Sequence, residues 1–529
     1  HTPRDARLGI LAGLGLLSAL LYAFGITARY PLAAGLRTPR VSWYTLSGYS
    51  LRAGLFFALV VGLLILCYAV ALRQALRLGG RSAFVPLAII VGGWLLSSAA
   101  LLGAYPGESL DIFDYTFRGR MLVEYGASPL AIAPSAYWTK PFYPYITWRG
   151  QVDTYGPLWE YASGLVAWVV SPVLGRGDSQ VAYIAGYRLL AILLAGLGGL
   201  IIALMVRRSD PAHVPAALLA WLWNPLLLVA TAIGAHNDIV MMLAVLAALL
   251  LFQRRRWVTG LLALALAAHV KLTALLILPV LGLWLARRCG WRRALRDGAI
   301  ALALALPLSW LLYAPLGGWI TLRRMLNERA QLLINSPADL VYHLLQEQRG
   351  WSESAAWRAV TLGATILFFV GAAAVLAWLW RSGRRLAPDQ ESVASDELLW
   401  RGCVTVTLLY LLVGSFWFQH WYLLWILAPS ALLPASRWTR TLLPAYCLGI
   451  LWGSLANTFL RNLPPRQLSV TQTAAINVLS QVLPLLCVIG ALLLLRIAPR
   501  LLVALRRSRA GLPYMPARAS AQYEMDDRP

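Results

Sequence analysis

The chain has 529 residues, 59% of them hydrophobic, a mean hydropathy of +0.65 and only 13% charged residues. That excludes an ordinary soluble globular protein, and apolar runs that are continuous rather than alternating favour a helical bundle over a barrel. The net charge is +24, but the arginines cluster in short loops beside apolar runs, so they read as membrane-flanking charges and not as a nucleic-acid surface.

Crossing the hydrocarbon core takes ~20 apolar residues. In chain order the candidate spans are 8–27, 51–72, 83–105, 180–206, 213–233, 237–252, 257–270, 272–286, 299–315, 359–380, 402–418, 420–435, 441–457 and 476–497, an all-α polytopic bundle of about 12–14 spans. The first run reads as a retained helix, not a signal peptide. With a cytoplasmic N-terminus, the Arg-dense loops at 73–81, 207–208, 254–256, 287–296, 381–385 and 437–440 all fall inside, together with the tail. The segment 158–172 is short and carries Glu160, and parity places it at the outer surface or in a re-entrant position. The chain then divides into N-terminal helices (1–105), an outer loop with interfacial helices (106–179), a second bundle (180–498) with outer loops 316–358 and 458–475, and a basic cytoplasmic tail (499–529). The five cysteines lie in or beside spans, so no disulfide or zinc framework is expected, and no cofactor or metal is implied.

Unusual polar residues gather on the outer side. After the third span, Asp111, Asp114 and Arg118 share one helical face at spacings of three and four, with Tyr115 between them. Leu110, Phe113, Phe117 and Met121 form an apolar face suited to the membrane interface. A solvated amphipathic helix with an Asp114–Arg118 pair would explain the same spacing, and would leave Asp111 as the freer carboxylate. Next, Asp153-Thr154-Tyr155-Gly156-Pro157 reads as a turn before an aromatic helix, or as an ordinary loop with belt aromatics. His236-Asn237-Asp238 follows between two spans, where Asp238 would either cap the next helix or serve a site. Two ligands at that spacing are weak evidence for a metal. Arg188 and Lys271 stand in apolar runs. Such cations face a cavity or a partner unless they snorkel to headgroups, and Lys271 is one of only two lysines. Last, Gln419-His420-Trp421-Tyr422 marks an outer turn in an aromatic belt.

These residues, in this order, resemble the GT-C superfamily of lipid-phosphate-sugar-dependent glycosyltransferases. The likeness is to polyprenol-phosphate-mannose-dependent mannosyltransferases and runs from about residue 105 to 435. Ser109-Leu110-Asp111-Ile112-Phe113-Asp114-Tyr115 is similar to their first-loop Ser-x-Asp-x-Tyr-x-Tyr signature. Tyr155-Gly156-Pro157, His236-Asn237-Asp238, Lys271-Leu272-Thr273 and the 419–425 segment also fit. Phe113, Asp114 and His420 depart from the pattern, which bears on subfamily and sugar. The resemblance implies an inverting transfer of a sugar, mannose by this likeness, from a polyprenyl-phosphate donor to a glycan or glycolipid acceptor outside the cytoplasmic membrane. Asp111 would be the general base, Arg188 or Lys271 would neutralise the departing phosphate, and Tyr155, Trp421 and Tyr422 would orient sugar. A transporter or flippase of lipid-linked sugars is the alternative class; its expected signs, internal repeats and midplane sites, are not evident in the sequence.

Overall fold

The computed structural model describes residues 3–78, 84–173, 179–330, 333–384, 393–460 and 470–509. The described chain is helical, with isolated bridges but no strand. The helices that matter for position are α1 (Pro3–Tyr22), α2 (Leu51–Ala75), α3 (Phe84–Leu101), α4 (Asp111–Val123), α5 (Pro157–Val173), α6 (Gln180–Ser209), α7 (Val214–Leu222), α8 (Asp238–Gln253) and α9 (Trp257–Ala268). They are followed by α10 (Leu278–Cys289), α11 (Trp291–Tyr313), α12 (Trp319–Ala330), α13 (Pro337–Arg349), α14 (Glu353–Arg384), α15 (Val393–Leu409), α16 (Leu424–Ala431), α17 (Leu443–Leu460) and α18 (Val470–Arg509).

Local chemistry sets several of the starts. Ser50 and Ser179 accept the N–H of Ala53 and Ala182, capping α2 and α6. Asn224 Oδ1 accepts the Leu226 N–H while Pro225 supplies the first helical φ, so the chain bends by 49° between α7 and the turn Pro225–Ile233.

Ten helices among the described residues are long and apolar enough to cross a membrane, and that bent pair would add one more. α8 and α9, at 16 and 12 residues, are too short to span alone, and the 420–435 candidate is a 3-10 turn joined to the eight-residue α16. Apolar side chains face outward where lipid would lie: Leu362, Leu367, Phe369 and Val370 on α14 are all more than 60% exposed. The protein is therefore a multi-pass helical membrane protein. α1 packs on α3 and α2, α6 on α7 and α8, α8 on α9, and α17 on α18 and α2. The core of the bundle centres on α7 and α16, whose residues are all buried, and on the buried face of α8.

The segment 106–179 differs from expectation. α4 does not lie on the membrane: Ile112 through Met121 are all buried. Phe113 packs on Tyr105 and Tyr145, and Phe117 on Tyr143 and Tyr125, so loop 125–146 takes the place assigned to lipid. α5 packs against α4, α6 and α11. The segment 316–358, expected as an outer loop, contains α12, α13 and the start of α14. Residues 461–469 and the tail beyond 509 lie outside the described residues; α18 runs past 499 to Arg509.

Candidate active site

A cavity of about 350 Å³ opens between the segment 106–179 and the turn at 417–422. Glu108, Asp111, Asp114, Tyr115 and Arg118 line it from the start of α4 and the loop before it. Asp153 and Tyr155 come from the loop before α5, Trp421 and Tyr422 from the turn, and Arg40 from the N-terminal region.

The start of α4 sets the acidic edge. Leu110 offers no side-chain cap, and Ser109 Oγ instead accepts the Asp111 N–H at 3.3 Å. Asp111 and Asp114 both sit in the first turn, where the helix dipole favours negative charge. Their roles separate at once. Asp114 accepts the backbone N–H groups of Thr147 and Trp148 at 3.1 and 3.0 Å, fastening the loop over the cavity. Burial nonetheless pushes its carboxyl up to about 7, against the pull of Arg118 and those two donors. Asp111 is the most open of the four carboxylates in the wall, its side chain 20% exposed against 7% for Glu108 and 4% for Asp153, with the whole of Asp114 at 4%. Burial raises its pKa as well, opposed by His236 and Lys271.

The Asp114–Arg118 pair does not form. Arg118 turns to the loop: Nη2 donates to the carbonyls of Trp148 and Gln151 at 3.2 and 3.1 Å, and Nε lies 3.5 Å from Asp153 Oδ2. Its Nη1 is buried without a hydrogen-bond partner. Tertiary folding of 147–153 over α4 supplied acceptors that helical spacing alone does not reveal. Tyr115 packs edge-on against Trp159 at 4.7 Å and against Tyr155 at 5.9 Å.

Behind the acidic edge four groups alternate. His236 Nδ1 is 3.7 Å from Asp111 Oδ2, and His236 Nε2 is 3.9 Å from Glu108 Oε1. His420 Nε2 is 3.1 Å from Glu108 Oε2. Burial alone would raise the Glu108 pKa, but the two imidazoles outweigh it and hold the carboxyl at about 2. The His236 ring stacks on Trp421 at 3.7 Å and 12°, and its backbone N–H donates to Ala230. Sequence reasoning did not single out Glu108. Its place three residues before Asp111, with two histidines in separate motifs needing a partner, is the signal that was there.

Lys271 is 3% exposed and lies behind the wall instead of in the cavity. Its ammonium donates to Asp238 Oδ2 at 2.7 Å, and Trp425 Nε1 donates to Asp238 Oδ1 at 2.6 Å. Asp238 thus pairs with a cation; no side-chain cap forms at this end of α8. Tyr155 and Tyr422 stand 5.0 Å from the ammonium, so the same two rings that line the cavity also cover Lys271. Asn237 is fully buried and its side-chain amide makes no hydrogen bond. Gly156 makes this junction possible. Its N–H donates to Val270 O, that of Leu158 to His269 O, and a Cβ at Gly156 would fall 2.1 Å from His269 O.

Arg188 is a correction. It is fully buried, and its guanidinium donates to the carbonyls of Ile233, Leu102 and Ala104 at 2.9, 2.6 and 2.7 Å. It lines none of the described cavities. Those carbonyls, freed where α3 and the 225–233 turn end, accept what was expected to go to a phosphate. The cations in the wall are instead Arg118 and Arg40, the latter unremarked in the sequence. Among the described residues, no three His, Cys, Asp or Glu side chains are grouped to hold a metal ion.

Residues 9–309 match the family described as alpha-(1->6)-mannopyranosyltransferase, N-terminal domain. That match takes in every site residue from Glu108 to Lys271 and leaves out His420, Trp421 and Tyr422. The alpha-(1->6)-mannopyranosyltransferase A of Mycobacterium tuberculosis is 28% identical over 335 residues, 60% of each chain. The protein of the same name from Corynebacterium glutamicum is 28% identical over 185 residues, 34% of this chain and 35% of that one. The chain therefore matches at most about three fifths of the length of these relatives.

Proposed function

Because the chain belongs to the alpha-(1->6)-mannopyranosyltransferase family, we propose that it transfers mannose from a polyprenyl-phosphate donor to a hydroxyl of a glycan or glycolipid acceptor, with inversion at the anomeric carbon. The observation that carries this reading is the cavity in which an accessible carboxylate, Asp111, shares a wall with Arg118 and Arg40.

Asp111 acts as general base, taking the acceptor hydroxyl proton while that oxygen attacks the anomeric carbon and the bond to the phosphate oxygen breaks. Of the carboxylates in the wall it is the one that substrate reaches most easily. The leaving polyprenyl phosphate carries the bonding electrons, and the Arg118 and Arg40 guanidiniums oppose its charge. Lys271 adds field from behind Tyr155 and Tyr422 without touching substrate. Tyr155, Trp421 and Tyr422 offer flat faces to the sugar. Trp421 is fixed for this by its stack on His236, and Tyr422 by its stack on Trp425 at 4.4 Å. His236 stands between Asp111 and Glu108, at 3.7 and 3.9 Å. The arginine distribution supports cytoplasmic termini and an outward-facing cavity in the cytoplasmic membrane.

The test is transfer of radiolabelled mannose from polyprenyl-phosphate mannose to a mannoside acceptor in proteoliposomes. Wild type should transfer, and Asp111→Asn should lose ~100- to 10,000-fold in turnover while staying folded. A folded wild-type protein inert with this donor, or an Asp111→Asn variant at full rate, sinks the reading.

A further inference from the structure

The opposite end of the bundle holds a second cavity, larger than the first, that the proposed reaction does not use. α8 places the two apart: Asp238 at its start abuts the candidate active site, and Arg255 just past its end lines the second cavity. Sixteen helical residues separate them by roughly 24 Å.

This cavity has a volume of about 470 Å³. Arg255, Arg287, Arg288 and Arg293 line it, and among the described residues no carboxylate does. Among the described residues two acids stand behind the wall: Asp396 is 3.9 Å from Arg288, and Asp297 is 3.8 Å from Arg293 while also bound to Arg296. The guanidiniums are pre-positioned by tryptophans. Arg288 lies over Trp284 at 5.1 Å and Arg287 over Trp380 at 5.5 Å, and Arg287 Nη1 also donates to Trp380 O. Gly383 leaves the space that Arg287 fills; a Cβ there would collide with the guanidinium. Three helices begin at this rim, α9 at Trp257, α11 at Trp291 and α15 at Val393, and three end there, α8 at Gln253, α10 at Cys289 and α14 at Arg384, so the helix ends offset one another and the arginines carry the positive charge. Val280, Leu283, Leu398 and Leu399 give the wall an apolar part, and Ser395 stands in it as a small polar residue.

We propose that this cavity binds the phosphate-bearing headgroup of an anionic membrane lipid. Arginine forks suit phosphate oxygens, and the apolar part of the wall suits the glycerol and first methylenes. The neighbouring surface favours a lipid over a free phosphate: Trp291 and Leu295 on α11 are 57% and 70% exposed beside the rim, the outward apolar surface that acyl chains cover. The proposal is independent of the glycosyltransferase reading.

The experiment is native mass spectrometry of the full chain released from nanodiscs of equal phosphatidylglycerol and phosphatidylcholine, with inorganic phosphate added in a parallel arm. Wild type should retain phosphatidylglycerol in preference. Arg255→Gln/Arg288→Gln/Arg293→Gln should lower that preference about tenfold or more. Arg254→Gln/Arg256→Gln/Arg292→Gln, which removes as much charge from residues outside the wall, should leave it intact. Ser395→Asp, in the first turn of α15 where an acid favours the helix, puts a repelling charge in the wall and tests the proposal without removing Arg288. Equal retention of the two lipids, an unchanged preference in both the triple variant and Ser395→Asp, or complete displacement of lipid by inorganic phosphate would overturn it.

Discussion

Replacing Arg188 with Gln separates the two roles this residue has been assigned. The guanidinium makes three charge-assisted bonds to carbonyls that sit at the end of α3 and at the end of the 225–233 turn. Each bond of this kind contributes ~1.5–3 kcal/mol, and an acceptor left buried without a donor costs a similar amount. A shorter amide would reach at most one of the three carbonyls. Allowing for coupling between them, the loss is about 3–5 kcal/mol, enough to lower the melting temperature of the purified protein by several degrees. The cavity that would hold donor is not lined by Arg188, so the donor KM of the protein that remains folded should stay within about twofold of wild type. Arg188→Lys keeps the charge but offers one donor centre, and should recover only part of the stability. Melting curves and initial rates over a range of donor concentration on the same preparations supply both readouts. If Arg188→Gln melts like wild type and its donor KM rises tenfold or more, the guanidinium holds phosphate and the structural assignment fails.

Other outcomes follow from the same geometry. Asp114→Asn should be destabilised by about 1–3 kcal/mol in denaturation, because one amide oxygen replaces a carboxylate that accepts two loop N–H groups. Burial raises the Asp114 pKa from 3.8 to about 7, so the folded state holds this proton more tightly than the unfolded chain; its contribution is complete below pH 3.8 and is lost as pH rises through about 7. Subtracting the Asp114→Asn stability profile from that of wild type should show that slope, and parallel profiles would refute it. Burial also raises the Asp111 pKa, and a general base works only when ionised, so the acid limb of kcat/KM should lie above the ordinary aspartate range; a rate flat down to pH 4 would exclude this base. Lys271→Met leaves Asp238 buried without its cation and should cost ~3–5 kcal/mol in melting, partly restored in Lys271→Met/Asp238→Asn; a double variant less stable than the single would refute the pairing. A cysteine placed at the exposed Ala136 should react with a membrane-impermeant maleimide in intact cells, and protection there would invert the orientation argued from the arginines.

The sequence made the spanning helices readable because lipid imposes one rule on every residue of a span, and composition alone satisfies it. It overcounted at α8, α9 and the 420–435 segment, where apolar runs are apolar because protein surrounds them and their ends are set by breaks at Arg254, His269 and Leu432. The motifs also proved to be neighbours, with Tyr155, Asp238, Lys271 and Tyr422 meeting around one ammonium. What sequence could not show was which partner each charge takes. Helical spacing offered Asp114 to Arg118, but the folded loop offered Asp153 and two carbonyls. Arg188 looked like a cation in want of an anion because its true acceptors, at 102, 104 and 233, are backbone atoms that any residue could supply. Glu108 was passed over because its two histidine partners stand far along the chain.

The docking of Gly156 on the carbonyl of His269 also bears on how the protein is made. During synthesis the loop before α5 emerges well before the break between α9 and α10 against which it must close, and Trp421 and Tyr422 follow later still. Until that break has been inserted, Tyr155 has no ammonium to cover and the turn before α5 has no acceptor for its N–H groups. The 106–179 segment therefore lacks these partners until a late part of its own chain is made, and a nascent protein arrested before His269 would lack one side of its cavity.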